Sequence, residues 1–103
     1  MLYAVIDIGS TTIRMAIYEI LDNKLNLIHK RKYTVGLASY VKDNVMEQAG
    51  IDKACEILNS FKSFLNDLRI MEENVTIFSF HINKSETFIF VKILYNTNSH
   101  EHF

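Results

Sequence analysis

The sequence predicts one α/β domain with the element order β-β-β-α-β and a further strand after it. Three apolar stretches joined by short polar turns come first, one amphipathic helical pattern follows, and two more β-rich stretches come last. The 103 residues are enough for one small domain with a hydrophobic core. We expect residues 1–95 to form this domain and residues 96–103 to be a polar tail.

The first two predicted strands are residues 2–7 and residues 13–21. The first is short and almost continuously apolar, which is typical of a central strand covered on both faces. In the second, apolar side chains alternate with others, so that Ile13, Met15 and Ile17 share one face.

The third predicted strand, residues 25–37, follows a two-residue hairpin turn at Asp22 and Asn23. The first three strands should therefore form an antiparallel meander. The basic cluster Lys30-Arg31-Lys32 is expected on an exposed face or edge of the sheet, and His29 on the surface. The side chains expected to face inward are those of Leu25, Leu27, Tyr33 and Val35.

Residues 36–43 are predicted to be a connecting loop, followed by a helix from Asn44 to about Leu68. Asn44 and Glu47 resemble a capping box, while Gly50 weakens the first turns. The apolar stripe consists of Ala54, Ile57, Leu58, Phe61, Phe64, Leu65 and Leu68. Residues 74–80 form the fourth predicted strand, parallel to the first if the helix is a crossover, and residues 87–94 the fifth.

The composition is that of an ordinary globular domain. Hydrophobic residues make up 49%, charged residues 22%, and the formal net charge is −1, so neither a nucleic-acid partner nor a basic or acidic one is indicated. No apolar stretch approaches the length that spans a bilayer, and no signal peptide is visible. The single cysteine, Cys55, is expected to be a buried or half-buried side chain in a cytoplasmic protein.

The residues most suited to chemistry follow the first strand. Asp7 is a carboxylate at a strand end, where burial is costly unless it holds a metal, a water or a donor. Gly9 would permit a positive φ and a close ligand. Ser10, Thr11 and Thr12 offer hydroxyls and backbone N–H groups, and Arg14 can grip a phosphate with two donors. A plain hairpin made of turn-forming residues explains the same pattern equally well.

Neither of the two histidine-containing segments near the end of the sequence is expected to bind a metal ion. His100-Glu101-His102 lies in the polar tail, and alternating ligands on a chain end rarely form a closed site. His81 lies after the fourth predicted strand without neighbouring ligands.

The segment from Tyr3 to Arg14, followed by Met15-Ala16-Ile17-Tyr18-Glu19, resembles the start of the exopolyphosphatase and guanosine pentaphosphate phosphohydrolase (Ppx/GppA) family, where D-x-G-S-N-[ST]-x-[RH] opens the chain. Residues 35–38, 50–58 and 61–65 resemble the strand-to-helix stretch of that family. The resemblance covers about Met1 to Phe78. It implies the N-terminal half-domain of the ribonuclease H-like, actin-like ATPase fold.

Enzymes of that family remove a phosphate from inorganic polyphosphate or from the 5′ end of guanosine pentaphosphate, usually with a divalent cation such as Mg²⁺. By resemblance, Asp7 would orient the metal or a water, and Gly9, Ser10 and Thr11 would form the first phosphate loop. Arg14 would help hold the phosphate chain.

The sequence departs from the family pattern at two places, and both bear on whether the chain can be active. Thr11 stands where the family usually has Asn, and after Phe78 neither the A-T-[SA]-x-x-R segment nor the loop with the catalytic glutamate is found. Glu86 matches no motif for that glutamate. We therefore expect a truncated or frame-shifted phosphohydrolase fragment that is inactive alone.

Two other functions remain open from the sequence. One is a non-enzymatic module that forms homodimers through exposed strand edges and a half-covered sheet. The other is part of a different actin-like ATPase or kinase. No nucleic-acid or membrane partner is expected.

Overall fold

The computed structural model of the chain describes residues 1–80. Within them, β1 (Leu2–Ile8), β2 (Thr12–Leu21) and β3 (Lys24–Thr34) are followed by the short strands β4 (Val41–Lys42) and β5 (Val45–Met46), the helix α1 (Gln48–Asp67) and β6 (Val75–Ser79). The predicted strand at residues 87–94, the polar tail and His81 lie outside the described residues.

The large sheet of this region has the strand order β3-β2-β1-β6. Strands β1, β2 and β3 pair antiparallel, which confirms the predicted meander. Strand β6 pairs parallel with β1, with Ala4 opposite Val75. The parallel pairing confirms that α1 is a crossover helix, because parallel neighbours cannot be joined by a tight turn.

The turn between β2 and β3 is the predicted two-residue hairpin. Asp22 and Asn23 have φ of 52° and 62°, the left-handed values that a type I′ turn requires and that Asp and Asn tolerate. The twist of this turn matches that of the strands it joins.

Strand β3 contains a β-bulge that overturns part of its predicted orientation. Ile17 lies opposite His29, whereas Tyr18 lies opposite Leu27, so Ile28 has no partner. The extra residue rotates the strand by one position. As a result Leu25 and Leu27 are 63% and 50% exposed, and the prediction that they face inward is wrong.

Beyond the bulge the odd-numbered residues of β3 face the helix. The ring centroid of Tyr33 lies 5.9 Å from that of Phe61, and Val35 packs partly buried against the core, as predicted. His29 stacks on Phe64 at 4.6 Å, so its prediction as a surface residue is wrong. Arg31 lies over the same Phe64 ring at 4.4 Å and donates from Nε to His29 Nε2 at 3.2 Å.

The predicted loop at residues 36–43 is more structured than expected. It contains a 3₁₀ helix at Leu37–Tyr40 and the first strand of the β4–β5 hairpin. Asp43 and Asn44 form its turn with φ of 53° and 63°. Asn44 is therefore in a hairpin turn, the helix starts only after Glu47, and no side chain caps it. The predicted capping box is wrong.

One face of the large sheet carries the hydrophobic core. Helix α1 covers this face, and the buried side chains come from both layers. The core consists of Ala4, Ile6, Ile8, Ile13, Met15, Ile17, Leu37, Met46, Ala54, Leu58, Phe61, Leu65, Ile70 and Val75. On the opposite face every side chain is half-buried or exposed. The burial of β1 on both faces that its apolar sequence predicts is not found within residues 1–80.

Candidate functional site

The candidate site is the turn between β1 and β2, called the first turn below (Gly9, Ser10 and Thr11). Gly9 N–H donates to the Thr12 carbonyl at 2.8 Å. A Cβ on Gly9 would lie 2.9 Å from that oxygen, which explains the glycine. The predicted positive φ at Gly9 is wrong, since Gly36 is the glycine with positive φ in the described part of the chain.

Backbone hydrogen bonds from residues 35–38 anchor the first turn. The Thr11 carbonyl accepts hydrogen bonds from Val35 N–H and Gly36 N–H, both at 2.9 Å, and the Ser10 carbonyl accepts one from Ala38 N–H at 3.0 Å. These contacts occupy the carbonyl oxygens, which would otherwise repel an anion. The N–H groups of Ser10 and Thr11 have no hydrogen-bond acceptor within residues 1–80.

Asp7 and Arg14 lie side by side next to the first turn. They are direct partners in the β1–β2 register, and both side chains are exposed. Arg14 Nε donates to Thr12 Oγ1 at 3.2 Å. Asp7 and Arg14 form no ion pair, since the described residues contain a single one, between Lys42 and Glu47 at 3.6 Å. The carboxylate of Asp7 is therefore solvated, and it does not carry the burial cost that its place at the end of an apolar strand suggested.

The fold places these residues at the carboxyl end of a parallel strand pair. Strands β1 and β6 run side by side, Asp7 lies opposite Phe78, and Phe80 N–H donates to the Ile8 carbonyl at 2.9 Å. Crevices outside the carboxyl ends of parallel strands are common ligand sites in α/β sheets. The predicted residues Asp7, Gly9–Thr11 and Arg14 are thus within one or two residues of the same strand ends.

The donors available for a metal ion are few. Residues 1–80 contain no group of three or more His, Cys, Asp or Glu side chains that could hold one. Mg²⁺ commonly binds through one or two carboxylates together with phosphate oxygens and waters. Asp7 and the nearby hydroxyls of the first turn fit an ion that arrives with a phosphate ligand.

Cys55 is separate from the first turn, on α1, and is half-buried as predicted. Burial raises the pKa of its thiol, and the carboxylate of Asp52 raises it further. A raised thiol pKa is the opposite of what a nucleophile needs. No helix within the described residues is long and apolar enough to cross a membrane.

The structure also shows neighbours of the site that sequence reasoning did not assign to it. Residues 35–38 act through backbone N–H groups, which leave no mark in the sequence. A groove with a volume of about 540 Å³ lies against β2 and β3, and its lining includes Arg14, Lys30 and Lys32. The two-residue spacing of the lysines on a predicted strand could have placed them on one face.

Comparison with known proteins gives a consistent set of structural neighbours. No protein-family model matches the chain, and no curated protein matches it. A Ppx/GppA family member from Aquifex aeolicus has 26% identity and a TM-score of 0.70 over 77% of this chain. A second Aquifex aeolicus structure, a PPX-GPPA enzyme, has 25% identity and a TM-score of 0.75 over 90% of it.

An exopolyphosphatase from Cytophaga hutchinsonii has 18% identity and a TM-score of 0.77 over 90% of this chain, a likeness of fold alone. The chain spans 26%, 32% and 30% of the lengths of these three proteins. The comparisons confirm the predicted fold, an actin-like ATPase-type half-domain, and the resemblance to Ppx/GppA proteins.

Proposed function

We propose that this chain, which resembles a fragment of the Ppx/GppA phosphohydrolases, binds the phosphate groups of a polyphosphorylated ligand at the first turn. The two candidate ligands are inorganic polyphosphate and guanosine pentaphosphate. The observation that carries the proposal is the anchoring of the turn. Residues 35–38 donate to its carbonyl oxygens, while the Ser10 and Thr11 N–H groups have no acceptor within residues 1–80.

The chemistry at the first turn follows from these donors. Backbone N–H groups and the hydroxyls of Ser10 and Thr11 would donate to phosphate oxygens, as anion-binding backbone nests do. Arg14 would add a charge-assisted contact. The carboxylate of Asp7 would repel the phosphate unless a divalent cation joins the two, so Mg²⁺ is proposed to bind together with the ligand.

Hydrolysis needs more than this site supplies. Phosphoryl transfer to water requires a group that positions or deprotonates the water. Asp7 is proposed to be engaged with the cation, and residues 1–80 contain no acidic or histidine cluster beside it. We therefore propose binding without turnover for the 103-residue chain.

The test of the proposed function is the thermal stability of the whole chain with pyrophosphate or tripolyphosphate, with and without Mg²⁺. A ligand at 100 times its Kd stabilises the folded state by about 2.7 kcal/mol, which raises Tm by about 10 °C or more for a domain of this size. Asp7→Asn should remove the Mg²⁺-dependent part of the shift.

The matched control is Asp22→Asn, the same chemical change at the opposite end of β2, where φ of 52° suits Asn. This variant should retain the full shift. No stabilisation by any phosphate compound would contradict phosphate binding. Stabilisation by ATP alone would instead favour another actin-like ATPase or kinase. Phosphate release at an enzyme's usual rate would contradict the absence of turnover.

A second candidate function, homodimer formation, is supported by exposed apolar side chains on the uncovered sheet face. Ile20, Leu25 and Leu27 are 40%, 63% and 50% exposed, and the register places them together at the end of the face away from Asp7. Two copies related by a two-fold axis could pack these ends together as in a sheet sandwich. In such a dimer, Arg14, Lys30 and Lys32 of one copy would lie far from the same residues of the other copy, so their positive charges would not repel each other.

Sedimentation velocity tests the homodimer. Leu27→Lys should convert a dimer into a monomer, because a buried lysine without a partner is costly. Met71→Lys is the control, since Met71 is 60% exposed outside the strands and should leave the dimer intact. A wild-type chain that sediments as a monomer at high concentration would rule the homodimer out.

A further inference from the structure

We propose that the groove along β2 and β3 binds the continuation of a linear phosphate chain whose end lies at the first turn. This inference rests on the proposed function and extends it to Lys30 and Lys32. The groove is called the basic groove below. Tyr18 and Leu27 lie at its far end, and the full lining is Arg14, Met15, Ala16, Tyr18, Leu27, Lys30, Arg31 and Lys32.

The strand register arranges these residues in rows across the uncovered face. Asp7, Arg14 and Lys32 are successive partners across β1, β2 and β3. The next row of the same face pairs Ala16 with Lys30. Because alternate residues of a strand are about 7 Å apart, Arg14 and Lys30 are direct neighbours of Ala16 on this face, and Lys32 is its diagonal neighbour. Val5 and Tyr18 lie on the remaining sides, and the small side chain of Ala16 is part of the groove lining.

Within residues 1–80 the cations of the basic groove form no ion pair, although Asp7 is the direct cross-strand neighbour of Arg14. The groove lining includes no carboxylate, and Arg14, Lys30 and Lys32 take part in no ion pair with any of residues 1–80. Arg31 also contributes to the groove lining, but its guanidinium lies on the other face against Phe64. A concave surface with three cations on one side of it, beside the first turn, fits a polyanion.

Protection of the β3 edge is the simpler reason for lysines on this strand. Edge lysines act from either face of a sheet. The structure instead places Lys30 and Lys32 on the face of Arg14 and next to it. If the lysines only protect the edge, binding should not depend on the length of a phosphate chain. If they line a binding groove, longer chains should bind more tightly.

The ligand chemistry is a linear chain of at least several phosphates. Pyrophosphate at the first turn would reach Arg14 but not Lys30, which lies one row further along the face. Inorganic polyphosphate and the phosphate chain of a nucleotide share this chemistry. The apolar far end at Tyr18 and Leu27 carries no phosphate donor apart from the Tyr18 hydroxyl.

The experiment measures Kd by titration calorimetry at low salt with Mg²⁺, for pyrophosphate, tripolyphosphate, polyphosphate of about 15 units and GTP. The variant is Lys30→Ala/Lys32→Ala. The control, Lys24→Ala/Lys53→Ala, removes the same total charge from exposed lysines outside the groove. In the wild type, affinity should rise from pyrophosphate to the long chain.

The groove variant should lose about tenfold in affinity for the long chain, as expected for the loss of two exposed ion contacts of moderate strength. It should lose about threefold or less for pyrophosphate, which can reach Lys32 beside Arg14 but not Lys30. Its loss should shrink at high salt, while the control stays within about twofold. Equal affinity for all chain lengths, or equal loss in the control, would overturn the groove but leave phosphate binding at the first turn intact.

Two further outcomes separate the ligand sources. A lysine-dependent gain for the long chain but not for GTP assigns the groove to inorganic polyphosphate, and one for GTP as well assigns it to phosphate chains in general. A single-stranded oligonucleotide that binds as tightly, with the same loss in the lysine variant, would overturn the phosphate-chain assignment. Failure of pyrophosphate binding in every variant would refute the proposed function itself.

Discussion

The two faces of the β3-β2-β1-β6 sheet differ in almost every physical respect. The face covered by α1 contains fully buried aliphatic side chains, and Phe61 of the helix packs against this face at 0% exposure. The uncovered face carries Asp7, Arg14 and two lysines at one end and exposed leucines at the other. Both faces belong to the same strands, so the alternation of side chains along each strand alone separates them.

This difference assigns different tasks to the two faces. Burial of apolar surface stabilises the fold through the covered face. Charged side chains on the uncovered face contribute little to stability, and they are available to a ligand. Residues that determine folding and residues that determine binding should therefore respond to mutation independently, although they alternate in sequence.

The largest expected effect comes from truncation in the covered face. Phe61→Ala should lower the free energy of unfolding by about 3–5 kcal/mol, because it removes a fully buried ring and leaves a cavity. Leu25→Ala, on the uncovered face, should cost below about 0.5 kcal/mol. Urea denaturation of both variants measures the contrast. Equal costs would mean that the face of Leu25 is packed in solution.

A smaller effect is expected from Gly50 in the first turns of α1. Ala is favoured over Gly by about 1 kcal/mol in a helix. However, a Cβ on Gly50 would lie 2.6 Å from Tyr40 Cβ and 3.1 Å from Met46 Cγ. The clash should outweigh the propensity, so that Gly50→Ala destabilises by about 1–2 kcal/mol. A stabilised variant would show that the helix can move away from Tyr40.

Gly50→Ala combined with Tyr40→Gly makes the test sharper. Removal of the Tyr40 ring together with its Cβ relieves the contact, so the added methyl should then cost less than it does in the wild-type background. The difference between the two costs, obtained from the same urea curves, measures the coupling of the two positions.

The smallest expected effect concerns the thiol of Cys55 at the covered face. Since burial and Asp52 raise its pKa above the ordinary 9.0, iodoacetamide should alkylate the folded chain more slowly at pH 8 than the chain in urea. Asp52→Asn should speed alkylation of the folded chain, and Glu56→Gln is the control with the same change of charge. Alkylation at equal rates, folded and unfolded, would contradict the raised pKa.

The same shift has a sign for stability. A raised pKa keeps the thiol protonated in the folded state, so its contribution is complete below the pKa of the unfolded thiol. That contribution is lost as the pH rises through the folded pKa. Stability of the wild type should therefore fall above about pH 9 more than that of Cys55→Ala.

Much of the fold could be predicted from the sequence because its strands obey simple periodicity. The meander, the turn at Asp22 and Asn23, the crossover helix and the stripe through Leu58 and Phe61 all follow from local patterns. The β-bulge at Ile28 could not be predicted, because its effect depends on pairing with β2. The β4–β5 hairpin was missed because strands of two residues have no periodicity to detect.

The candidate site also has a part that could be predicted from the sequence and a part that could not. Asp7, Gly9, Ser10, Thr11 and Arg14 could be singled out by residue type, and the structure brings them together. The reason for Gly9 was wrong, since the conflict is with the Thr12 carbonyl and not with a left-handed φ. The anchoring by residues 35–38 could not be predicted, because it uses main-chain donors that every residue except proline possesses.

The anchoring of the first turn by residues 35–38 should be measurable by amide hydrogen exchange. The amide protons of Val35, Gly36 and Ala38 are hydrogen-bonded to carbonyl oxygens of Ser10 and Thr11, more than 20 positions earlier in the chain. Their exchange with deuterated solvent requires the first turn to separate from residues 35–38. These three amides would therefore report the opening of the turn without a label on it, and a bound phosphate would be visible as slower exchange at residues that do not touch it.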